Sequence, residues 1–204
     1  MPPSYAKAFI GVDAAIFTLH DHHLKILLHR REKEPFRGRW ELPGGLVRDA
    51  ESAEERIQSK LAELTGRDDL YFEQFHTFTA PDRDPRGRAV SVAYIALVCC
   101  DTITDFSMWH DCAALPSLAF DHRDIIASAR AFLAANLDSI ITKQFLPPRF
   151  PLNLLQEAYQ IIRSERYDNR NFRKRMIASL AVEETKEVEQ GVSHRPARLF
   201  RFKT

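Results

Sequence analysis

Between Gly45 and Gly66 the chain sets charged side chains on a stretch whose apolar residues mark a helix. Ala53, Ile57, Leu61 and Leu64 recur at helical spacing and form one apolar stripe. Positions 60, 63 and 64 share a side of such a helix, because three- and four-residue spacings stack on one face. There the chain carries Lys60, Glu63 and Leu64, a single carboxylate beside an ammonium and an apolar side chain, whereas a hard dication such as Mg2+ takes several oxygen ligands. An ammonium repels a dication, and a leucine has no lone pair to offer. Metal-assisted hydrolysis needs a held metal, and one carboxylate is a poor holder.

The segment entering this helix is Arg37-Gly-Arg-Trp-Glu-Leu-Pro-Gly-Gly45. With it, residues 45–66 resemble a Nudix box, whose family pattern is G-x5-E-x7-R-E-U-x-E-E-x-G-U with U apolar. Gly45, Glu51, Leu61, Glu63 and Gly66 fall in register. The R-E pair is Ser59-Lys60, and the E-E pair is Glu63-Leu64. The loop Ala80–Arg88, with two prolines and a glycine, carries a D-x-D-P-R-x-R stretch similar to the loop of ADP-ribose-type Nudix proteins. A guanidinium fork suits phosphate; a charged surface loop is the alternative reading. The resemblance implies a site for a diphosphate such as ADP-ribose, with Arg30, Arg31, Arg39, Glu41, Gly44, Gly45, Lys60, Glu63, Arg86 and Arg88 as ligand-binding residues. The resemblance also implies metal-ligating carboxylates at positions 60, 63 and 64; because Lys60 and Leu64 replace two of them, no catalytic residue, no metal and no resident cofactor is expected, although residual hydrolysis stays open. An ADP-ribose pyrophosphatase using Glu51, Glu55 or Glu63 in an atypical metal site is the alternative.

The elements that must position these groups follow from periodicity. Residues 8–19 are β-branched and aromatic enough for a strand, and 24–29 for its return. His20-Asp21-His22-His23 between them reads as a solvated hairpin tip or a metal-binding cluster. Strands are expected near 70–79 and 89–99. Asp121 is expected to cap a helix over 122–142, with Ile125, Ile126, Ala129, Phe132, Leu133, Leu137 and Ile140 on its apolar face. Asp121 and His122 could instead line a ligand site. Pro147, Pro148 and Pro151 make residues 143–151 a stiff linker. A first domain over 1–145 and a second over 146–204 are the expected division.

Charge separates the two halves. Residues 1–144 carry 17 Lys+Arg against 21 Asp+Glu, a balance of −4; residues 145–204 carry 12 against 7, a balance of +5. A basic module of this kind seeks a polyanion. In it, Leu152, Leu155, Tyr159 and Ile162 mark one helix, and a turn through Arg166–Asp168 leads into Asn169–Leu180. Burial of Phe172, Met176, Ile177 and Leu180 would leave Arg170, Asn171, Arg173, Lys174 and Arg175 outside the core. Helix, short turn and basic helix is the layout of a helix-turn-helix reader. Residues 181–202 read as a hairpin with Gly191 near its tip, a wing carrying Arg195 and Arg198. Solvated basic faces and protein-binding winged helices share this pattern. No apolar run reaches membrane-spanning length. The opening Met1-Pro-Pro-Ser-Tyr-Ala-Lys7 lacks a signal-peptide pattern, and three cysteines without C-x-x-C spacing suit a reducing cytoplasm.

Taken together, a degenerate Nudix domain followed by a winged helix with Asn171-Phe-Arg-Lys174 and Arg195-Pro-Ala-Arg-Leu199 is similar to the bacterial Nudix-related transcriptional regulators of NrtR type. The fold expected is α+β: a Nudix-like α/β/α sandwich followed by a winged helix-turn-helix. The resemblance implies a homodimeric, cytoplasmic repressor of NAD-metabolism genes. Its partners would be palindromic operator DNA and ADP-ribose or a related NAD metabolite, with no membrane partner.

Overall fold

Strand β1 (Phe9–His20) is apolar on both faces, so it must be covered on both. Val12, Ala14 and Ile16 belong to one core, and Ala15 and Phe17 to the other. The computed structural model, which describes residues 5–138, 140–179, 182–191 and 195–203, shows how each face is closed. A two-residue tip, Asp21 and His22 at φ 51° and 62°, returns the chain as β2 (His23–Leu27). A small ladder follows, β3 (His29–Arg30) with β4 (Trp40–Glu41), and then β5 (Gly44–Leu46). Helix α1 (Ala53–Thr65) is fixed at its start by a Ser52–Glu55 capping box and at its end by Gly66 at φ 69°. Its buried Ile57 and Leu61 cover the first face of β1.

Strands β6 (Phe72–Phe78), β7 (Ala89–Leu97) and β8 (Trp109–Asp111) complete a sheet of order β6-β7-β1-β2-β8. Strand β7 lies parallel to β1 on one side. On the other side β2 pairs with the far end of β1, and β5 pairs with Gly11–Asp13 near its start. Helix α2 (His122–Ala135) covers the second face through Ile125, Ile126, Ala129 and Leu133. The result is an α/β/α sandwich, as the Nudix resemblance implied.

Helix α2 ends sooner than the apolar pattern predicts. The Asn136 side-chain amide donates to the Phe132 carbonyl at 2.8 Å and closes the last turn, and Leu137 is buried beyond it. The Ile140 side chain lies outside the described residues. Asp121 stands at the helix start but makes no capping hydrogen bond; its carboxylate is taken by Arg83.

The proline segment is not a free spacer. After a 3-10 turn at Ile140–Phe145, strand β9 (Phe150–Pro151) runs straight into α3 (Leu152–Arg163). Helix α4 (Asn169–Ser179) and strands β10 (Val182–Val188) and β11 (Arg198–Phe202) follow, and β11 pairs with both β10 and β9. Phe145, Leu146 and Phe150 are buried in one hydrophobic cluster reaching from Phe17 and Leu133 to Tyr159, Phe172, Met176 and Phe200. Ile177 was expected inside and is 45% exposed. It follows Met176 by one residue, about 100° round the helix, and faces away from α3. Leu180 lies outside the described residues.

Candidate functional site

The sandwich opens into a cleft of about 480 Å3 where β1, β5 and α1 meet the 80–88 loop and the start of α2. Its walls carry Arg31, Lys33, Arg48, Arg56, Arg83 and Arg86 against Asp13, Glu41 and Asp84. Six cations facing three carboxylates make a receptor for an anion. Gly44 lets β5 close against β1, since a Cβ there would strike the Val12 carbonyl and stand 2.7 Å from Asp13 Oδ1.

Most of these cations are held by partners. Arg83, 7% exposed, forms a fork with Asp121: its Nε donates to Oδ2 at 2.9 Å and its Nη2 to Oδ1 at 2.7 Å. Arg83 also stands 3.7 Å from Asp13, which accepts from Ser91 Oγ at 2.5 Å. His122 Nδ1 accepts from the Leu42 N–H at 2.9 Å, so the imidazole proton sits on Nε2, 3.5 Å from Asp13 Oδ1. Arg86 donates from Nε and Nη2 to Asp84 at 3.0 and 2.6 Å. Arg31 donates to Glu41 at 2.8 Å. Burial works to raise the Glu41 carboxyl, but hydrogen bonds from His29 and Arg31 outweigh it and hold the group below the usual carboxylate range.

Two of these guanidiniums approach the Phe120 ring, Arg31 at 4.7 Å and Arg86 at 5.4 Å from its centre. Its backbone sits at φ 49°, a left-handed conformation unusual for a bulky residue. Cation–π contact and a T-shaped approach to Phe36 at 5.0 Å hold the ring in the cleft. A flat, cation-flanked aromatic suits a ligand with a planar base.

Of the residues predicted to bind ligand, the structure brings Arg31, Glu41, Gly44, Gly45 and Arg86 to this cleft. It places Arg30, Arg39, Lys60, Glu63 and Arg88 outside its lining. Arg30 stacks on Trp40 and Arg39 on Phe36. Lys60 Nζ donates to Glu63 Oε2 at 2.6 Å, so these two satisfy each other. The pattern did not single out Lys33, Arg48, Arg56, Arg83, Asp84 or Phe120. Arg83 and Asp84 lie in the loop already read as phosphate-handling. Arg48 and Arg56 fall at positions the Nudix pattern leaves open, where it is silent.

A divalent cation, which the fold family implies, does not fit the residues present. The ammonium of Lys60 occupies one ligand position and Leu64 another. Glu51 accepts from the Arg48 N–H at 2.8 Å, Glu55 closes the capping box with the Ser52 N–H at 2.7 Å, and Glu63 holds Lys60. The three carboxylates turn to three different partners. Among the described residues no three His, Cys, Asp or Glu side chains converge as a metal-holding group. At the hairpin tip, His20, His22 and His23 pair with Asp21, Glu157 and Asp111 respectively. The tip is the solvated hairpin turn, with Asp21, His22 and His23 exposed, and the His22–Glu157 contact ties it to α3.

The second surface is α4. Asp168 caps it, accepting from the Asn171 N–H at 2.9 Å, and Gln156 fixes the turn through the Tyr167 carbonyl and Asn169. Phe172 and Met176 anchor the helix on α3, leaving Arg170, Asn171, Arg173, Lys174 and Arg175 exposed. Arg170 and Lys174 have no ion pair among the described residues. Arg173 and Arg198 both reach Glu184, at 3.6 and 3.3 Å, and Arg175 lies over the Tyr159, Tyr167 and Phe172 rings. Arg195 is exposed beside the hairpin. The wing is less basic than its return strand alone indicates, because Glu183, Glu184 and Glu187 pair with Arg201, Arg198 and Arg149.

Comparison with known proteins agrees with both halves. The family model for the NUDIX domain matches residues 10–128, and that for the NrtR DNA-binding winged helix domain matches residues 143–202. The chain is 36% identical to an ADPR responsive transcriptional repressor, NtrR, of Acinetobacter baylyi, over 97% of this chain and 83% of that protein. It is also 36% identical to an ADP-ribose pyrophosphatase of Methanocaldococcus jannaschii, over 60% of this chain and 73% of that one. Among solved structures, Shewanella oneidensis NrtR complexed with a 27mer DNA superposes with a TM-score of 0.83 at 35% identity, covering 95% of this chain and 93% of that one. The NUDIX domain of the same protein complexed with ADP ribose gives 0.51 at 36% identity, covering 65% and 93%.

Proposed function

We propose a function from the premise that this chain belongs to the NrtR-type family of Nudix-related regulators: it is a repressor that binds operator DNA through α4 and the wing and responds to ADP-ribose. On this reading residues 1–145 form the sensor and 146–204 the DNA reader. The protein works in the cytoplasm as a homodimer on a palindromic operator, and its targets are NAD-metabolism genes.

Helix α2 carries the reading. Its first residue, His122, lines the cleft, and Asp121 just before it holds Arg83. Its far end is fastened to α3: the Tyr159 hydroxyl donates to the Leu137 carbonyl at 3.0 Å and to Asp138 at 2.6 Å, and Arg163 donates to the Ala134 carbonyl at 3.3 Å. Fourteen helical residues span about 21 Å. A ligand that moves the Arg83–Asp121 pair therefore pushes on a rigid rod ending at the helix that supports α4. A coupling of about 1–3 kcal/mol, typical between linked sites, changes affinity roughly 5–150-fold.

Binding without turnover follows from Lys60 and Leu64. With ADP-ribose and Mg2+ or Mn2+, the purified protein should release no AMP above a no-enzyme blank. Turnover near about one per second, an ordinary enzyme rate, would favour the pyrophosphatase reading. For the DNA arm, anisotropy of a labelled duplex from upstream of this gene should rise on adding protein and lose that rise in Asn171→Ala and Arg173→Ala.

A further inference from the structure

Among the described residues, Arg56 is the cleft arginine with a buried donor left unanswered. It projects from α1 one turn before Lys60, the first altered ligand position. Its side chain is 15% exposed, and its Nε is buried with no hydrogen-bond partner. Its nearest carboxylate, Glu51, stands 3.7 Å away, too far for a hydrogen bond. The guanidinium lies against Gly45, where a Cβ would come within 2.7 Å of Nη2. Burying a charged donor unsatisfied is costly, whereas Arg31, Arg83 and Arg86 each make short bonds to carboxylates.

We infer that Arg56 is the anchor for the ligand's diphosphate, a fixed cation that serves in place of a divalent metal ion. The inference rests on the reading of this cleft as a nucleoside-diphosphate site. A guanidinium keeps its charge at any working pH and offers paired donors to phosphate oxygens. It supplies one positive charge and paired donors to the diphosphate where a dication would supply two charges, and it holds no water to activate, so the ligand is bound and left intact. Lys60, tied to Glu63, keeps that carboxylate off the site. Ligand recognition should therefore need no metal.

The test is calorimetric titration of ADP-ribose into the full chain with EDTA and, separately, with Mg2+. Wild-type affinity should agree within about twofold between the two, and Arg56→Ala should weaken binding about 10- to 100-fold in both, the size expected for the loss of charge-assisted bonds. Arg56→Lys should fall between. Glu51→Gln, which removes the competing carboxylate, should tighten binding. Operator binding without ligand should be unchanged in all three variants, which reports that they fold. If wild type binds ADP-ribose and Arg56→Ala binds it equally well, or if EDTA abolishes wild-type binding, the assignment of Arg56 is wrong while the sensor reading stands. If wild type binds no ADP-ribose under either condition, the sensor reading falls and takes the assignment with it.

Discussion

In the cleft, Arg31, Arg83 and Arg86 are each clamped by a carboxylate at 2.6 to 2.8 Å, and Arg31 and Arg86 also contact the Phe120 ring. On α4, Arg170 and Lys174 stand exposed without an ion pair among the described residues. Both surfaces are cation-rich, but their physics differs. Clamped guanidiniums lose little freedom on meeting a ligand and present a fixed geometry, which favours selectivity for one small anion. Loose cations on a helix face a polyanion whose charges repeat along its length, where counterion release supplies affinity and precise placement matters less. One molecule thus holds a rigid receptor and a compliant one, joined by α2.

The contrast can be broken most forcefully at Arg83. Arg83→Ala removes the fork from the half-buried Asp121 and a cation beside the buried Asp13, which keeps only Ser91 and His122. Urea unfolding should show a loss of about 3–5 kcal/mol, and a stability close to wild type would mean the cleft is not preorganised. On α4 the same chemistry should leave folding alone. Arg170→Ala and Lys174→Ala should change stability by less than about 0.5 kcal/mol while lowering operator affinity. For every cation withdrawn from a DNA phosphate, the log–log salt dependence should flatten by about 0.9; an unchanged slope would move the phosphate-binding surface elsewhere. A smaller, opposite effect is expected at Glu184, which engages both Arg173 and Arg198. Freeing two exposed arginines with Glu184→Gln should tighten DNA binding roughly twofold to fivefold, the scale of a surface ion pair. Weaker binding would show that Glu184 positions the arginines rather than competing for them. The smallest effect is at Glu41. Its folded-state pKa is depressed, so the stability it contributes is complete above the unfolded carboxylate value and is lost as pH falls through the lower folded value. The stability gap between wild type and Glu41→Gln should therefore be steady near about pH 6 and shrink towards about pH 3, and a gap independent of pH would deny the pair.

The sequence was informative wherever one residue type has one use. The composition of residues 8–19 marked a strand, and the Gly45–Gly66 frame, by its resemblance to a Nudix box, implied the sandwich and the helix α1 beside the cleft. The exposed arginines of α4 followed from the anchors Phe172 and Met176. It was less informative where neighbours decide. The prolines of 143–151 read as a spacer, but Pro151 sits on β9, an edge strand, where proline is tolerated, and the interleaved Phe145, Leu146 and Phe150 pull the segment into the core. Arg48 and Arg56 occupy positions where motif matching carries no information, and only the folded chain shows them facing Gly45 and the cleft. Lys60 and Glu63 read as ligand contacts, yet a three-residue spacing on one helix lets them bind each other.

The central claim is that the rigid receptor governs the compliant one. It is tested most directly by titrating ADP-ribose into the preformed complex of the full chain and its operator while following anisotropy of the labelled DNA. The expected result is release: operator affinity falls within the roughly 5–150-fold range of ordinary coupling, and Arg86→Ala, which loosens the cleft, blunts the response without changing ligand-free DNA binding. An operator affinity unmoved at saturating ADP-ribose would contradict the claim, and tighter binding would reverse its sign.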